Sequence, residues 1–217
     1  MPQQSPYDLI TARHYAAYRP PLHAMILKNC LQDKAPYRKG LDIGCGTGHS
    51  TMALLNYCRQ LVGLDPSPDM IQNAQTHPRI QYVLAHAGQT GLAENSFDLI
   101  TFVGSLFYAK SQAVVDEICR IGADGASVLV YDFEVLLEAL YAAWGMKLPV
   151  EETEYDHALN FSGLKTPGLQ QGFSGADQLS AQCCPAGAFA FVRSKRASGI
   201  CTQVRASRSL AFAGAAS

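Results

Sequence analysis

Residues 40–48 read Gly-Leu-Asp-Ile-Gly-Cys-Gly-Thr-Gly, and this stretch decides the fold. Its apolar start predicts a strand, and the sequence His-Ser-Thr-Met-Ala-Leu-Leu at 49–55 predicts a helix that begins directly after the glycines. Glycine permits positive φ and lets a ligand approach the backbone closely. Because the start of a helix offers unpaired N–H groups to an anion, the turn predicts a site for a small, partly anionic, nucleotide-like ligand.

Two common nucleotide loops do not match this turn. The dinucleotide pattern G-x-G-x-x-G, started at Gly44, needs a glycine where His49 stands. The phosphate-binding loop needs a lysine after its last glycine, and none follows Gly48. Asp42 precedes the first glycine by two residues and would repel a pyrophosphate, whereas it could hold an ammonium group. A zwitterionic cofactor with both an amine and a carboxylate is therefore favoured.

A second half of the site follows in residues 60–74. The run Gln-Leu-Val-Gly-Leu-Asp at 60–65 predicts a strand that ends in Asp65, and a helix is predicted to follow it with Ser67 as N-cap and Pro68 at its first position. An acid at the end of a second strand can accept both hydroxyls of a ribose. Asp65 is thus predicted to bind a ribose.

The D-x-G-x-G-x-G pattern at 42–48 and the L-D-P-S-P-x-M pattern at 64–70 resemble the class I S-adenosylmethionine-dependent methyltransferases. The resemblance is to the small-molecule type of ubiquinone biosynthesis (type 11), and it covers residues 7–144. It implies S-adenosyl-L-methionine as cofactor. Cys45 is interpreted as a small side chain that fits the turn, not as a catalytic thiol. The implied cofactor contacts in this half are Asp42, Gly44, Cys45, Gly46, Gly48, Asp65, Pro66 and Met70.

Further strands are predicted at 79–85, 96–103 and 126–133, and helices at 112–121, with Ser111 as N-cap, and at 135–144. Alternating strands and helices with apolar strands predict an α/β fold, a Rossmann-like, doubly wound and mostly parallel sheet with helices on both faces. The sequence leaves the C-terminal edge of this sheet undetermined. Ligands in such sheets bind beyond the carboxyl ends of the strands.

The resemblance also assigns roles after the third and fourth strands. His86 stands where relatives often carry an acid, and with Ala87 it is expected to bind the adenine, while Val103, Gly104 and Ser105 are expected near the sulfonium. Phe107 and Tyr108 are candidates for the wall of the acceptor pocket, or for ordinary core packing.

The resemblance implies that an N-terminal segment, residues 1–35, is a helical lid, because Tyr15, Tyr18 and Arg19 stand in a Y-x-x-Y-R-P pattern that is common before the glycine turn in this family. Arg19 is expected to bind the cofactor's carboxylate, and the two tyrosines are candidate substrate contacts. The alternative is a helix with core tyrosines and a solvated arginine. Residues 36–162 are predicted to form the S-adenosylmethionine-binding domain.

Residues 163–217 differ in composition, with six Lys and Arg against one acid. Strands at 188–193 and 200–205, joined by a hairpin, would complete the sheet. Two alternatives to these strands are a segment translated from a shifted reading frame and a basic tail that binds an acidic partner. Part of this segment is expected to be disordered.

Composition limits the function. The chain has 217 residues and a formal net charge of −1, which gives no electrostatic footprint for nucleic acid. No signal peptide or membrane span is indicated, and seven irregularly spaced cysteines indicate no metal site and a cytoplasmic location. A monomer or homodimer that methylates a small organic acceptor is predicted, with the general base and the acceptor unknown. A non-catalytic binder or, less well supported, an NAD(P)-dependent oxidoreductase are the alternatives.

Overall fold

The computed structural model describes residues 22–31, 36–133, 155–156, 159–166, 169, 173–176 and 198–203. The strands in this part of the chain are β1 (Tyr37–Ile43), β2 (Cys58–Asp65), β3 (Ile80–Leu84), β4 (Phe97–Val103), β5 (Gly122–Tyr131), β6 (Phe173–Ala176) and β7 (Ser198–Gln203). The helices are α1 (Leu22–Leu31), α2 (His49–Ala53), α3 (Pro68–Gln72), α4 (Leu106–Ala109) and α5 (Gln112–Ile121), with a 3₁₀ turn at Leu54–Asn56.

The strands form one sheet in the order β3-β2-β1-β4-β5-β7-β6. β1 pairs in parallel with both β2 and β4. β2 also pairs in parallel with β3, and β4 pairs in parallel with β5. The strand order therefore reverses on either side of β1. At such a switch point the two outgoing connections part and leave a crevice at the carboxyl ends of the strands. The predicted Rossmann-like parallel sheet is confirmed.

Two apolar clusters cover the two faces of the sheet. Ile43, Phe102 and Val128 lie in one cluster with the buried side of α5. Leu61, Leu99 and Leu129 lie in the other, together with residues of α1. The central strands are apolar on both sides because both of their faces are buried, which is typical of parallel sheets.

The local predictions from 37 to 133 hold with small shifts. α5 spans 112–121 as predicted, and Ser111 Oγ accepts a hydrogen bond from Val114 N. Ser67 caps α3 with Pro68 in its first turn. β5 starts four residues earlier than the predicted strand and ends two residues earlier. The predicted helix at 135–144 lies outside the described residues.

The predicted hairpin at the C-terminal edge falls only in part on described residues. β7 overlaps the strand predicted at 200–205, but it pairs antiparallel with β5 on one side and with β6 on the other. The described neighbours of β7 are therefore β5 and β6, whereas the sequence predicts a strand at 188–193 beside it. β6 has only four residues and contains a glycine, so its sequence carries almost no strand signal. Residues 188–193 lie outside the described residues, and the predicted boundaries at 35 and 163 stay predictions.

Candidate functional site

A cavity of about 550 Å³ lies at the carboxyl ends of β1, β2 and β4, beside the switch point. This volume is in the range of small-molecule sites in proteins. Twelve of the residues predicted from sequence line it: Gly44, Cys45, Gly46, Asp65, Pro66, Met70, His86, Ala87, Val103, Gly104, Ser105 and Tyr108. Four separate connections of the sheet therefore converge on one site.

The turn after β1 depends on glycine for two different reasons. Gly44, Gly46 and Gly48 all have positive φ, at 73°, 53° and 85°. A Cβ on Gly44 would overlap the side chain of Ser105, and one on Gly48 would overlap the hydroxyl of Tyr82. A Cβ on Gly46 would have only Met70 Sδ within 4 Å, at 3.8 Å. Gly46 is thus the glycine whose missing side chain leaves space in the cavity.

Asp65 connects the end of β2 to this turn. Its Oδ2 accepts a hydrogen bond from Gly46 N at 2.9 Å, and its Oδ1 accepts one from Ser67 N at 2.9 Å. The side chain is 8% exposed, at the cavity wall. Burial raises the pKa of the Asp65 carboxyl, and the two backbone hydrogen bonds oppose that rise. Each carboxylate oxygen keeps acceptor capacity beyond its backbone bond, so both can receive ligand hydroxyls.

Asp42 does not line the cavity. Its carboxylate is fully buried and accepts hydrogen bonds from Ser50 Oγ at 2.6 Å, Thr51 Oγ1 at 2.7 Å and Thr101 Oγ1 at 2.9 Å. Burial raises the pKa of the Asp42 carboxyl, and these three hydroxyls oppose the rise. The structure gives Asp42 the role of joining β1, α2 and β4, where the sequence predicted a direct ligand contact.

The loop after β3 supplies another part of the cavity wall. His86, Ala87 and Gly88 line the cavity, and Ala85 N donates to Asp65 O at 3.2 Å. A Cβ on Gly88 would lie 3.2 Å from Ala113 Cβ of α5. The loop backbone therefore runs close to α5.

The connection after β4 is fixed from two sides. Ser105 Oγ donates to Ile43 O at 2.5 Å, and Gly104 N donates to Tyr131 O at 3.0 Å. Tyr155 Oη lies 2.8 Å from Gly104 O and 2.8 Å from Asp132 Oδ2. Because the hydroxyl of Ser105 is directed at β1, its backbone and Cβ are what it offers the cavity.

The remaining predicted residues divide into three groups. Tyr108 lines the cavity and is 63% exposed. Phe107 does not line it, and its ring centroid lies 4.6 Å from that of Tyr155. Gly48 does not line it either. The predicted lid residues, Tyr15, Tyr18 and Arg19, lie outside the described residues.

Twelve further residues line the cavity that the sequence does not predict as site residues. His23 of α1 is 5% exposed, and its Nδ1 lies 3.2 Å from Tyr131 Oη. Ser111 and Val114 of α5 also line the cavity. The signal for His23 is a histidine within the apolar sequence of α1, because a buried polar side chain needs a hydrogen-bond partner. The others missed are Ile43, Thr47, His49, Ser50, Leu64, Ser67, Pro68, Gly88 and Ala109.

Cys45 lies in the turn as predicted, buried at 4% exposure. Burial raises the pKa of its thiol, with the charges of Asp42 and Asp65 as further causes. A thiol that resists ionisation is a poor nucleophile. Among the described residues no three His, Cys, Asp or Glu side chains are grouped for a metal ion, and no helix is long and apolar enough to cross a membrane.

The fold and the site define a Rossmann-like cofactor-binding domain. A family model described as "Methyltransferase domain" (type 11) matches residues 41–130. Residues 41–130 are thus similar to the methyltransferase domain of the class I S-adenosylmethionine-dependent methyltransferases, enzymes that use S-adenosyl-L-methionine as cofactor.

Individual relatives agree with this assignment. The Saccharomyces cerevisiae protein named "Probable S-adenosylmethionine-dependent methyltransferase CRG1" is 35% identical over 177 residues, 72% of this chain and 61% of its own length. A Dictyostelium discoideum protein named as a methyltransferase is 25% identical over 129 residues, 58% of this chain and 48% of its own. The chain spans about half the length of the curated relatives it matches.

A solved structure described as an S-adenosyl-L-methionine-dependent methyltransferase from Methanococcus maripaludis has the same fold. It superposes with a TM-score of 0.55 at 22% identity, over 66% of this chain and 74% of its own. At this identity the likeness concerns the fold alone.

Proposed function

We propose that this protein transfers a methyl group from S-adenosyl-L-methionine to a small organic acceptor. The observation that carries the proposal is the convergence on one cavity of the glycine turn, the Asp65 carboxylate and the connection after β4. In a class I methyltransferase domain these are the elements expected to meet the amino acid, the ribose and the methyl-bearing part of the cofactor.

The residues present fit this cofactor. The missing side chain of Gly46 leaves room against the turn, and the two Asp65 oxygens are oriented by backbone N–H groups to accept hydroxyls. His86, Ala87 and Gly88 provide a wall with exposed backbone for the base. Arg19, outside the described residues, is the proposed partner of the carboxylate. S-Adenosyl-L-methionine, when bound, supplies an activated methyl group on a sulfonium.

The protein's own part is to bind and orient. Positioning of two reactants can supply several kcal/mol, about 7–11 kcal/mol in the best cases. Gly104 and Ser105, fixed by bonds to β5 and β1, are proposed to face the reacting centre, and Tyr108 to wall the acceptor. An aromatic face near a cation is stabilising. Tyr15 and Tyr18 stay candidate acceptor contacts from the lid segment.

The near-neutral charge of the chain supports a small acceptor over nucleic acid. On the proposed acceptor side the described lining residues are Tyr108, Ala109, Ser111 and His23, with no Asp, Glu, Lys or Arg among them. A base is required only if the acceptor must lose a proton. We therefore assign no catalytic base.

Calorimetric titration with S-adenosyl-L-methionine and S-adenosylhomocysteine tests the proposal, with NAD⁺ as the competing ligand class. We expect both sulfur ligands to bind and NAD⁺ not to. A panel of amines, phenols, thiols and carboxylic acids, read by mass spectrometry for the addition of one methyl group, then identifies the acceptor. A folded protein that binds neither sulfur ligand would contradict the proposal, and binding without any turnover would favour the non-catalytic alternative.

A further inference from the structure

The loop between β3 and β4 supplies part of the cavity wall without regular secondary structure of its own. It runs from 85 to 96 and carries His86, Ala87 and Gly88 at the cavity. Gln89 N donates to His86 O at 3.0 Å, which closes a tight turn there. A loop of this length needs contacts to another element if its backbone is to present a fixed surface to a ligand.

Those contacts come from the carboxylate of Glu117 on α5. Its Oε1 accepts hydrogen bonds from Thr90 N at 2.9 Å and from Thr90 Oγ1 at 2.5 Å. Thr90 is 4% exposed, and its hydroxyl also accepts a bond from Leu92 N at 3.1 Å. One side chain of α5 thus holds the loop two residues beyond Gly88.

Arg120, three residues further along α5, binds both the Glu117 carboxylate and the loop. Its Nε lies 2.8 Å from Glu117 Oε2, and its Nη2 lies 2.7 Å from Glu117 Oε1 and 2.8 Å from Leu92 O. The hydrogen bond from Arg120 is the main reason that the pKa of Glu117 falls to about 2, so the carboxylate is charged at neutral pH. The Glu117 side chain is 10% exposed and that of Arg120 is 41% exposed.

α5 itself lies against the cavity. Ser111 and Val114 near its first turn line the cavity, and Gly88 of the loop runs so close to α5 that an added Cβ would lie 3.2 Å from Ala113 Cβ. Val114 belongs to the buried face of α5, which packs in the core together with Val115, Ile118 and Ile121. α5 is therefore a rigid support, and the bonds from Glu117 tie the loop to it.

We propose that Glu117 is a positioning residue of the cofactor site, which fixes through Thr90 the loop that presents His86, Ala87 and Gly88 to the base of the cofactor. This inference rests on the proposed function, because it assumes that the cavity holds S-adenosyl-L-methionine. Glu117 touches no ligand. Its effect is on how well the loop recognises the base.

Calorimetric titration of S-adenosylhomocysteine and S-inosylhomocysteine, which differ at one substituent of the base, tests the inference. We expect the E117Q variant to bind S-adenosylhomocysteine about tenfold more weakly and to discriminate less between the two ligands. T90V should act in the same direction and T90S should restore binding. The control is D116N, which removes the same charge from an exposed position of α5.

Base discrimination separates positioning from stability, because a merely destabilised but folded protein keeps its preference between the two ligands. Circular dichroism first establishes that each variant is folded at the titration temperature. Unchanged affinity and discrimination in folded E117Q and T90V would overturn this inference alone. Absence of S-adenosylhomocysteine binding by the unaltered protein would overturn the proposed function, and this inference with it.

Discussion

Asp65 Oδ2 lies 2.9 Å from Gly46 N, so the last residue of β2 is hydrogen-bonded to the middle of the turn that follows β1. Gly46 and Asp65 are nineteen residues apart in the chain, and their bond joins the two sequence patterns that indicate the cofactor into one structural unit. The bond also fixes the direction of the carboxylate. Each oxygen of the Asp65 carboxylate accepts one hydrogen bond from the backbone and can accept a further one at the cavity wall.

Asp65→Asn should weaken the binding of S-adenosyl-L-methionine by about 1–3 kcal/mol, since it removes the charge and places an amide against Gly46 N or Ser67 N. Calorimetry measures this. Asp98→Asn is the matched control, because Asp98 also accepts two backbone bonds, from Arg38 N and Lys39 N at 2.8 and 2.7 Å, at the opposite end of the sheet. It should lose stability and keep its affinity. Equal affinity losses in both variants would remove Asp65 from the binding site.

Gly46→Ala and Gly48→Ala should separate binding from folding. Both variants put alanine at positive φ, which costs about 1–2 kcal/mol of stability. The new methyl group of Gly46→Ala enters the cavity, so affinity for the cofactor should fall by about tenfold or more. That of Gly48→Ala instead meets Tyr82, whose hydroxyl bond to Gln75 O at 2.8 Å would break.

Thermal unfolding and calorimetry, measured side by side, check this pair. Tyr82→Leu combined with Gly48→Ala should recover part of the stability, because it removes the overlapping ring. A larger loss of affinity in Gly48→Ala than in Gly46→Ala would show that the cofactor lies against Gly48 and not against Gly46.

The sequence predicted most of what depends on local pattern. Strands β1 to β5, α5 and the caps at Ser67 and Ser111 follow from apolar periodicity and from polar side chains at helix starts. The glycine turn and Asp65 were predicted as site residues because a cofactor site of this kind requires these residue types at this spacing. His23 was missed because its contact with Tyr131 joins residues 108 apart, which no local pattern records. β6 was missed because four residues carry too little signal.

Asp42 shows that local sequence patterns also fail to predict side-chain contacts for a residue within the glycine motif. The sequence predicted a ligand contact from its place before the glycines, whereas the buried hydroxyls of Ser50, Thr51 and Thr101 take up its carboxylate. Two of these partners are eight and nine residues away and the third is fifty-nine away. Side-chain direction at a strand end is decided by such partners.

Asp42→Ala should therefore destabilise the fold by about 2–4 kcal/mol, because the buried hydroxyls of Ser50 and Thr51 lose the carboxylate that accepts their bonds, while Thr101 Oγ1 keeps its bond to Leu41 O. Asp42→Asn should cost less, since the amide oxygen can still accept from one or two of them. In the folded Asn variant the affinity for S-adenosyl-L-methionine should stay within about threefold of the unaltered protein. Urea unfolding and calorimetry measure the two quantities. A large affinity loss without a stability loss would restore Asp42 as a ligand contact.

Glu117 should make the stability of the fold depend on pH in the acid range. Its pKa is lowered from 4.5 to about 2, mainly by the hydrogen bond from Arg120. A carboxylate with a lowered pKa in the folded state contributes stability that is complete above its ordinary pKa and is lost as the pH falls toward the lowered value. The free energy of unfolding of the unaltered protein should thus exceed that of E117Q by about 1–3 kcal/mol at pH 7.

Urea unfolding of both proteins at intervals from pH 7 to pH 2 checks this, with D116N as the variant that loses an exposed charge from the same helix. The difference between the unaltered protein and E117Q should be constant above about pH 5, fall between the two pKa values and nearly vanish near pH 2. A difference that is constant over the whole range would mean that the charge of Glu117 contributes nothing, and that shape alone explains its contact with Thr90.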